Sequence, residues 1–145
     1  MSSKVRIRDQ LQRNAVALIS LAIAITSLGY NTWRNEASEY NRNQRLISIE
    51  VLRNIGQLQQ VIFHNVFEMD NEDKGNPRTG WVYVLAIRDM TQLLDGPAPD
   101  SGIALWKVWD AEWSDLEPLN DSYERVTDAL ESVRAETHAL LRSLD

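Results

Sequence analysis

Residues 14–33 read NAVALISLAIAITSLGYNTW, a run without a charged side chain between Arg13 and Arg34. A bilayer core about 30 Å thick needs roughly 20 mostly apolar helical residues, each rising 1.5 Å. The run has that length, so it predicts one membrane-spanning helix over 14–33. Ser20, Thr26 and Ser27 lie inside it. A helix tolerates such hydroxyls in lipid because each can bond back to a carbonyl one turn earlier. Tyr30 and Trp33 fall at the far end, where amphipathic rings favour the headgroup zone. Two other readings compete. In a cleaved signal peptide, Lys4, Arg6, Arg8 and Arg13 would form the basic region and Ser27-Leu28-Gly29 the small-x-small site. The run is long for such a peptide. The other is the buried helix of a soluble domain.

The run itself carries a pattern. Ala17, Ser20, Ala24, Ser27 and Asn31 recur at steps of three and four, so small or polar residues share one helical face. Leu18, Leu21, Ile25 and Leu28 occupy the remainder. Small faces let helices approach closely in lipid, and hydroxyls can bond across them. That face is the expected transmembrane packing surface. The competing reading is that a span rich in Ala and Ser produces such stripes by chance.

Flanking Lys and Arg set orientation. Residues 1–13 hold four basic side chains and one acid, Asp9, for +3; with −6 overall, the remainder carries −9. Arg34, Arg42 and Arg45 follow the span, so the bias is small. It favours a cytoplasmic N-terminus and a periplasmic C-terminal domain in a bacterial inner membrane. The basic tail serves as the topology signal and can touch anionic headgroups. The acidic remainder argues against nucleic acid as a partner. There are no cysteines, which excludes disulfides, thiolate metal sites, thiol catalysis and an acylated-cysteine anchor.

Beyond the span, the periodicity predicts helices over about 34–68, 77–95, 101–117 and 121–144. Ile47, Val51, Ile55, Leu58, Ile62, Val66 and Met69 form one stripe at a period near 3.6. No breaker separates that stripe from the span, so one long helix should leave the bilayer and enter the domain. Residues 35–45 are very polar and form its neck. Residues 70–75 read as a loop. Asn76-Pro77 predicts a capped helix start. Residues 81–87, WVYVLAI, could also form a buried strand, but no partner strand is visible. Gly96-Pro97-Ala98-Pro99 ends that helix. Asp100 is the expected cap of the third helix, with Ile103, Trp106, Trp109, Trp113 and Leu116 along one side. Pro118 closes it. Asp121-Ser-Tyr-Glu124 resembles a capping box for the fourth, with Asp121 in the capping place. Tyr123, Val126, Leu130, Val133, Thr137, Leu140 and Leu144 line that helix. The expected fold is all-α: a basic tail (1–13), a transmembrane helix (14–33), and a small four-helix up-down bundle (34–145).

Chemistry is scarce. Trp81, Trp106, Trp109 and Trp113 are read first as core, because tryptophans at helical spacing bury large rings. A Trp-lined ligand pocket is the alternative. His64 and His138 are the only histidines; a metal site would need them beside Glu68 or Glu136, and His64 lies off its apolar stripe. Asp70, Glu72 and Asp73 lack the ligand ladder of a calcium loop. No phosphate loop, nucleophile elbow or zinc-binding helix motif occurs. The sequence nominates no catalytic residue, metal or cofactor. The expected function is a non-enzymatic single-pass membrane interaction protein, an accessory, assembly or scaffold subunit whose partners are the lipid bilayer and a membrane protein or second copy. The alternative is an extracytoplasmic ligand-sensing bundle.

Overall fold

The computed structural model describes residues 14–70 and 72–144; the basic tail over 1–13 lies outside them. Every regular element among the described residues is an α-helix: α1 Ala15–Phe67, α2 Pro77–Thr91, α3 Ala98–Glu112 and α4 Asp121–Ser143. Residues 81–87 are helical inside α2, which removes the strand alternative. The chain divides into two compact units, Met1–Tyr40 and Asn41–Asp145.

In the first unit, residues 16–40 are exposed around the whole helix. Thr26 Oγ1 donates to the Ala22 carbonyl at 2.9 Å, which satisfies the hydroxyl within the helix itself. Tyr30 and Trp33 stack obliquely, with ring centroids 6.1 Å apart. α1 has a stretch here that is long and apolar enough to cross a membrane.

The second unit holds the core. Val51, Ile55, Leu58, Ile62 and Val66 of α1 meet Val84 and Ile87 of α2, Leu105 and Trp109 of α3, and Val126, Leu130 and Val133 of α4. α1 stops at Phe67, so Met69 leaves the expected stripe; it is exposed and takes a left-handed backbone conformation, φ 53°. Asn65 Nδ2 donates to the Gly75 carbonyl at 2.9 Å, where α1 turns toward α2. At the other end of the same pair, Gln44 is buried, donating to the Leu93 carbonyl and accepting from the Asp95 amide. Arg45 donates to the Leu144 carbonyl at 2.5 Å. Two neighbouring α1 side chains thus satisfy carbonyls and an amide just past the ends of α2 and α4, groups that helix ends leave without partners. α4 also meets α1 through Phe67–Tyr123 and Arg134–Gln59. Together these contacts make α2 and α4 antiparallel to the second half of α1.

The caps partly differ from expectation. Asn76 caps α2, its side chain accepting from the Arg78 amide at 3.0 Å, with Pro77 first in the helix. α3 begins at Ala98 after Pro97, two residues before Asp100, and no side chain caps it. The amides of Asp100 and Ser101 bond the Pro97 carbonyl instead. α4 is capped by Asn120, whose side chain accepts from the Tyr123 amide at 2.8 Å. Asp121 is already helical and exposed. Asn120 holds the extended conformation that a cap needs and stands three residues before the amide it binds.

The buried face of α3 also shifts. Ala98, Gly102, Leu105 and Trp109 are buried, whereas Ile103, Trp106, Trp113 and Leu116 are half-buried. The helix ends at Glu112, so Leu116 lies past it. Small residues, not only large ones, mark this contact. A Cβ on Gly102 would meet Thr91 Oγ1, and one on Gly80 would meet Trp109 Cζ2. The two glycines allow α2 and α3 to approach closely.

Candidate functional site

Ala17, Ser20, Ala24, Ser27 and Asn31 are all exposed in the apolar part of α1. No side chain of the described chain covers that face.

The four tryptophans do not converge on a cleft. Trp109 is wholly buried in the core, and its indole N–H has no hydrogen-bond partner. Trp81, Trp106 and Trp113 are half-buried and pack against the same core. Arg88 lies 5.6 Å above the Trp106 ring, at a distance where a cation is attracted to its face.

Among the open clefts of the second unit, three have no tryptophan in their lining. The first, about 780 Å³, lies between the end of α1 and the segment joining α3 to α4, among Asn65, Val66, Met69 and Asp115. A second, about 480 Å³, is lined by polar groups including Gln57, His64, Lys74 and Tyr83. A third, about 110 Å³, lies between Phe63, Phe67 and Tyr123.

The charged groups with altered ionisation serve structure. Glu112 accepts from Arg125 Nε at 2.7 Å and Nη2 at 2.9 Å, and from Ser122 Oγ at 2.7 Å. The Arg125 hydrogen bond first, then Ser122, lowers the Glu112 carboxyl to about 2; the same pair raises Arg125. A carboxylate held ionised by a guanidinium fork joins the last turn of α3 to the first of α4. A general acid working near neutral pH needs the opposite shift. Asp70 is lowered chiefly by the Asp73 amide, against some desolvation, with the Lys74 and Glu72 amides helping. Its carboxylate accepts from those amides at 2.9, 3.0 and 3.2 Å, so the acidic residue organises its own loop.

His64 Nδ1 lies 2.6 Å from Glu68 Oε2, an (i, i+4) pair between the last turn of α1 and the residue just past its end. His138 is exposed on α4. Among the described residues, no three His, Asp or Glu side chains converge as metal ligands. The sequence reading missed Gln44, Gly80, Gly102 and Glu112. Of these only the glycines leave a signal, because glycine inside a helical pattern costs about 1 kcal/mol against alanine and so asks for a packing reason. The chain matches no protein-family model, no curated protein and no solved structure in the comparisons made.

Proposed function

We propose that this chain is a non-enzymatic single-pass membrane protein that works by binding other proteins, as an accessory, assembly or scaffold subunit of a membrane complex. The observation that carries the reading is where its large apolar side chains lie. Beyond the exposed apolar stretch of α1, the second unit exposes Leu46, Ile49, Phe63 and Phe67 on α1, and Val82, Leu85 and Leu93 in and after α2. Single exposed apolar residues are ordinary, but residues grouped along helices suggest surfaces that partners cover. The basic N-terminal flank supports a cytoplasmic N-terminus and a periplasmic second unit. The antiparallel placement of α2 and α4 against α1 supports an up-down four-helix bundle for that unit. The small face Ala17, Ser20, Ala24, Ser27, Asn31 is the proposed helix-packing surface in lipid.

The test is in-membrane crosslinking followed by mild-detergent purification of the full chain. A membrane protein or a second copy retained in fixed ratio supports the reading. A chain that purifies alone and crosslinks to nothing overturns it. The sensing alternative predicts a small molecule that raises the melting temperature of the chain; the 780 Å³ cleft is the place such a ligand would sit.

A further inference from the structure

Phe63, Phe67 and Tyr123 bring three aromatic rings to one small cleft between α1 and α4. Positions 63 and 67 are one turn apart at the end of α1, and Tyr123 in the first turn of α4 meets Phe67 there. Ring centroids are 5.5 Å apart for Phe63–Phe67 and 5.8 Å apart for Phe67–Tyr123, and the second pair of rings stands at 88°. Ile62 and Leu130, both buried, line the cleft from the core side. Phe63 and Phe67 remain about half exposed, so packing within the unit leaves much of both rings unused.

We propose that this cleft binds a quaternary ammonium group of trimethylammonium size, as carried by choline or by a choline headgroup. Ring faces are electron-rich, and a cation within about 6 Å of a ring centroid is attracted to them. With centroids this close, one guest in the cleft lies within reach of more than one ring, and perpendicular rings form the corner of an aromatic box. Size sets the guest. A water's share of liquid volume is about 30 Å³, so a cleft of about 110 Å³ holds about four heavy atoms. Charge favours a cation. Residues 41–145 hold ten basic and eighteen acidic side chains, a charge of −8. Glu124 and Glu131 are exposed on α4, each one position after the lining residues Tyr123 and Leu130. The one cation on the rim, Arg134, lies 3.1 Å from Glu131, which offsets its charge, and donates to Gln59 at 2.7 Å. The same lining disfavours a bare ammonium. Such a group is strongly hydrated and needs acceptors when it leaves water. Gln59, Thr127 and the Tyr123 hydroxyl are the only side-chain acceptors in the lining, and the Gln59 oxygen already receives Arg134. A quaternary ammonium presents its charge through methyl groups and needs no acceptor.

The test is calorimetric titration of choline chloride into the full chain in a maltoside detergent, against sodium chloride at equal ionic strength. Choline should bind saturably. Its neutral isostere, in which carbon replaces the nitrogen, has the same shape without the charge and should bind about tenfold more weakly. Phe63→Leu and Phe67→Leu keep apolar bulk but remove a ring, so each should weaken choline about threefold to tenfold and leave the isostere unchanged. Tyr123→Phe keeps the ring and should change choline binding little. Glycerophosphocholine separates the two sources of the group. Tighter binding than choline assigns a lipid headgroup, weaker binding a free solute, and either supports the site. Absence of saturable choline binding overturns the proposal. So does equal binding of choline and isostere, or a leucine variant that weakens both alike, because the cleft is then merely apolar. The isostere comparison uses the unaltered chain, so it decides even if a variant fails to fold. Capture of a protein partner bears on the subunit role and leaves this site untouched.

Discussion

Gly80→Ala should destabilise the second unit, and Trp109→Phe should abolish that effect. A Cβ at position 80 would clash with Trp109 Cζ2 and lie 2.6 Å from Cη2, and the indole is fully buried. Overpacking of this kind costs about 1–3 kcal/mol, and contacts this short point to the upper end. Alanine returns about 1 kcal/mol of helix propensity relative to glycine. The net loss is about 2 kcal/mol. Phenylalanine ends its ring short of the clashing atoms and removes an indole N–H that has no partner. Burying such a group costs about 1–3 kcal/mol, which offsets much of the packing lost with the smaller ring. In the Trp109→Phe background, Gly80→Ala should be neutral or stabilising by up to about 1 kcal/mol. The coupling between the sites is then about 2–3 kcal/mol, within the range for residues in direct contact. Urea unfolding of the full chain in mild detergent, followed by far-UV circular dichroism, reads all four corners of the cycle. Equal cost of Gly80→Ala in both backgrounds would refute the close approach of α2 to α3.

Glu112 is lowered from its ordinary 4.5 to about 2, so its pairing stabilises the fold fully above pH 4.5 and is lost as pH falls toward 2. Glu112→Gln should flatten the stability–pH curve in that window, and an unchanged curve would remove the pair from the stability account. Asn120→Ala should cost about 1 kcal/mol, and Asp121→Ala less, in thermal unfolding; the reverse order would return the cap to Asp121. A reporter active only in the periplasm and fused after Asp145 should be active; activity of a cytoplasmic reporter there reverses the topology. Ala24→Leu should weaken helix association in a membrane two-hybrid assay while Leu21→Ala changes it little, and equal effects would make the small face an accident of composition.

The helices were legible where periodicity and capping chemistry agreed. Val51, Ile55, Leu58, Ile62 and Val66 announce the buried side of α1, and Asn76-Pro77 announces the start of α2. The α3 face was misplaced because its tryptophans drew the stripe. Trp106 and Trp113 stay half-buried, while Gly102 and Ala98 reach the core. Size marks hydrophobic gain, but closeness of approach belongs to the residues without bulk. Met69 was lost for a different reason. The periodic pattern continues through it, but the helix ends at Phe67, and the Asp70 carboxylate gathers the following amides into a loop. Residue types near a helix end do not say which turn will be the last.

Function was less legible than fold, and the physical cause is visible on α1. Leu46 and Ile49 differ from Val51 and Ile55 in no chemical respect that a sequence can show. One pair is exposed and the other is in the core. Ile47 and Leu52, between them, are partly buried. With apolar residues at 46, 47, 49, 51, 52 and 55, the helix is hydrophobic around most of its circumference, and periodicity then loses its direction. Only the placement of the other three helices decides which side remains uncovered. Catalytic sites announce themselves because chemistry needs particular residue types at particular spacings. An association surface needs apolar area, a register and a few charges, all of which a core also contains. The same three-and-four spacing that builds the interior of the second unit therefore also sets the exposed row of Leu46, Ile49, Phe63 and Phe67 on the same helix. Burial, not composition, separates the two.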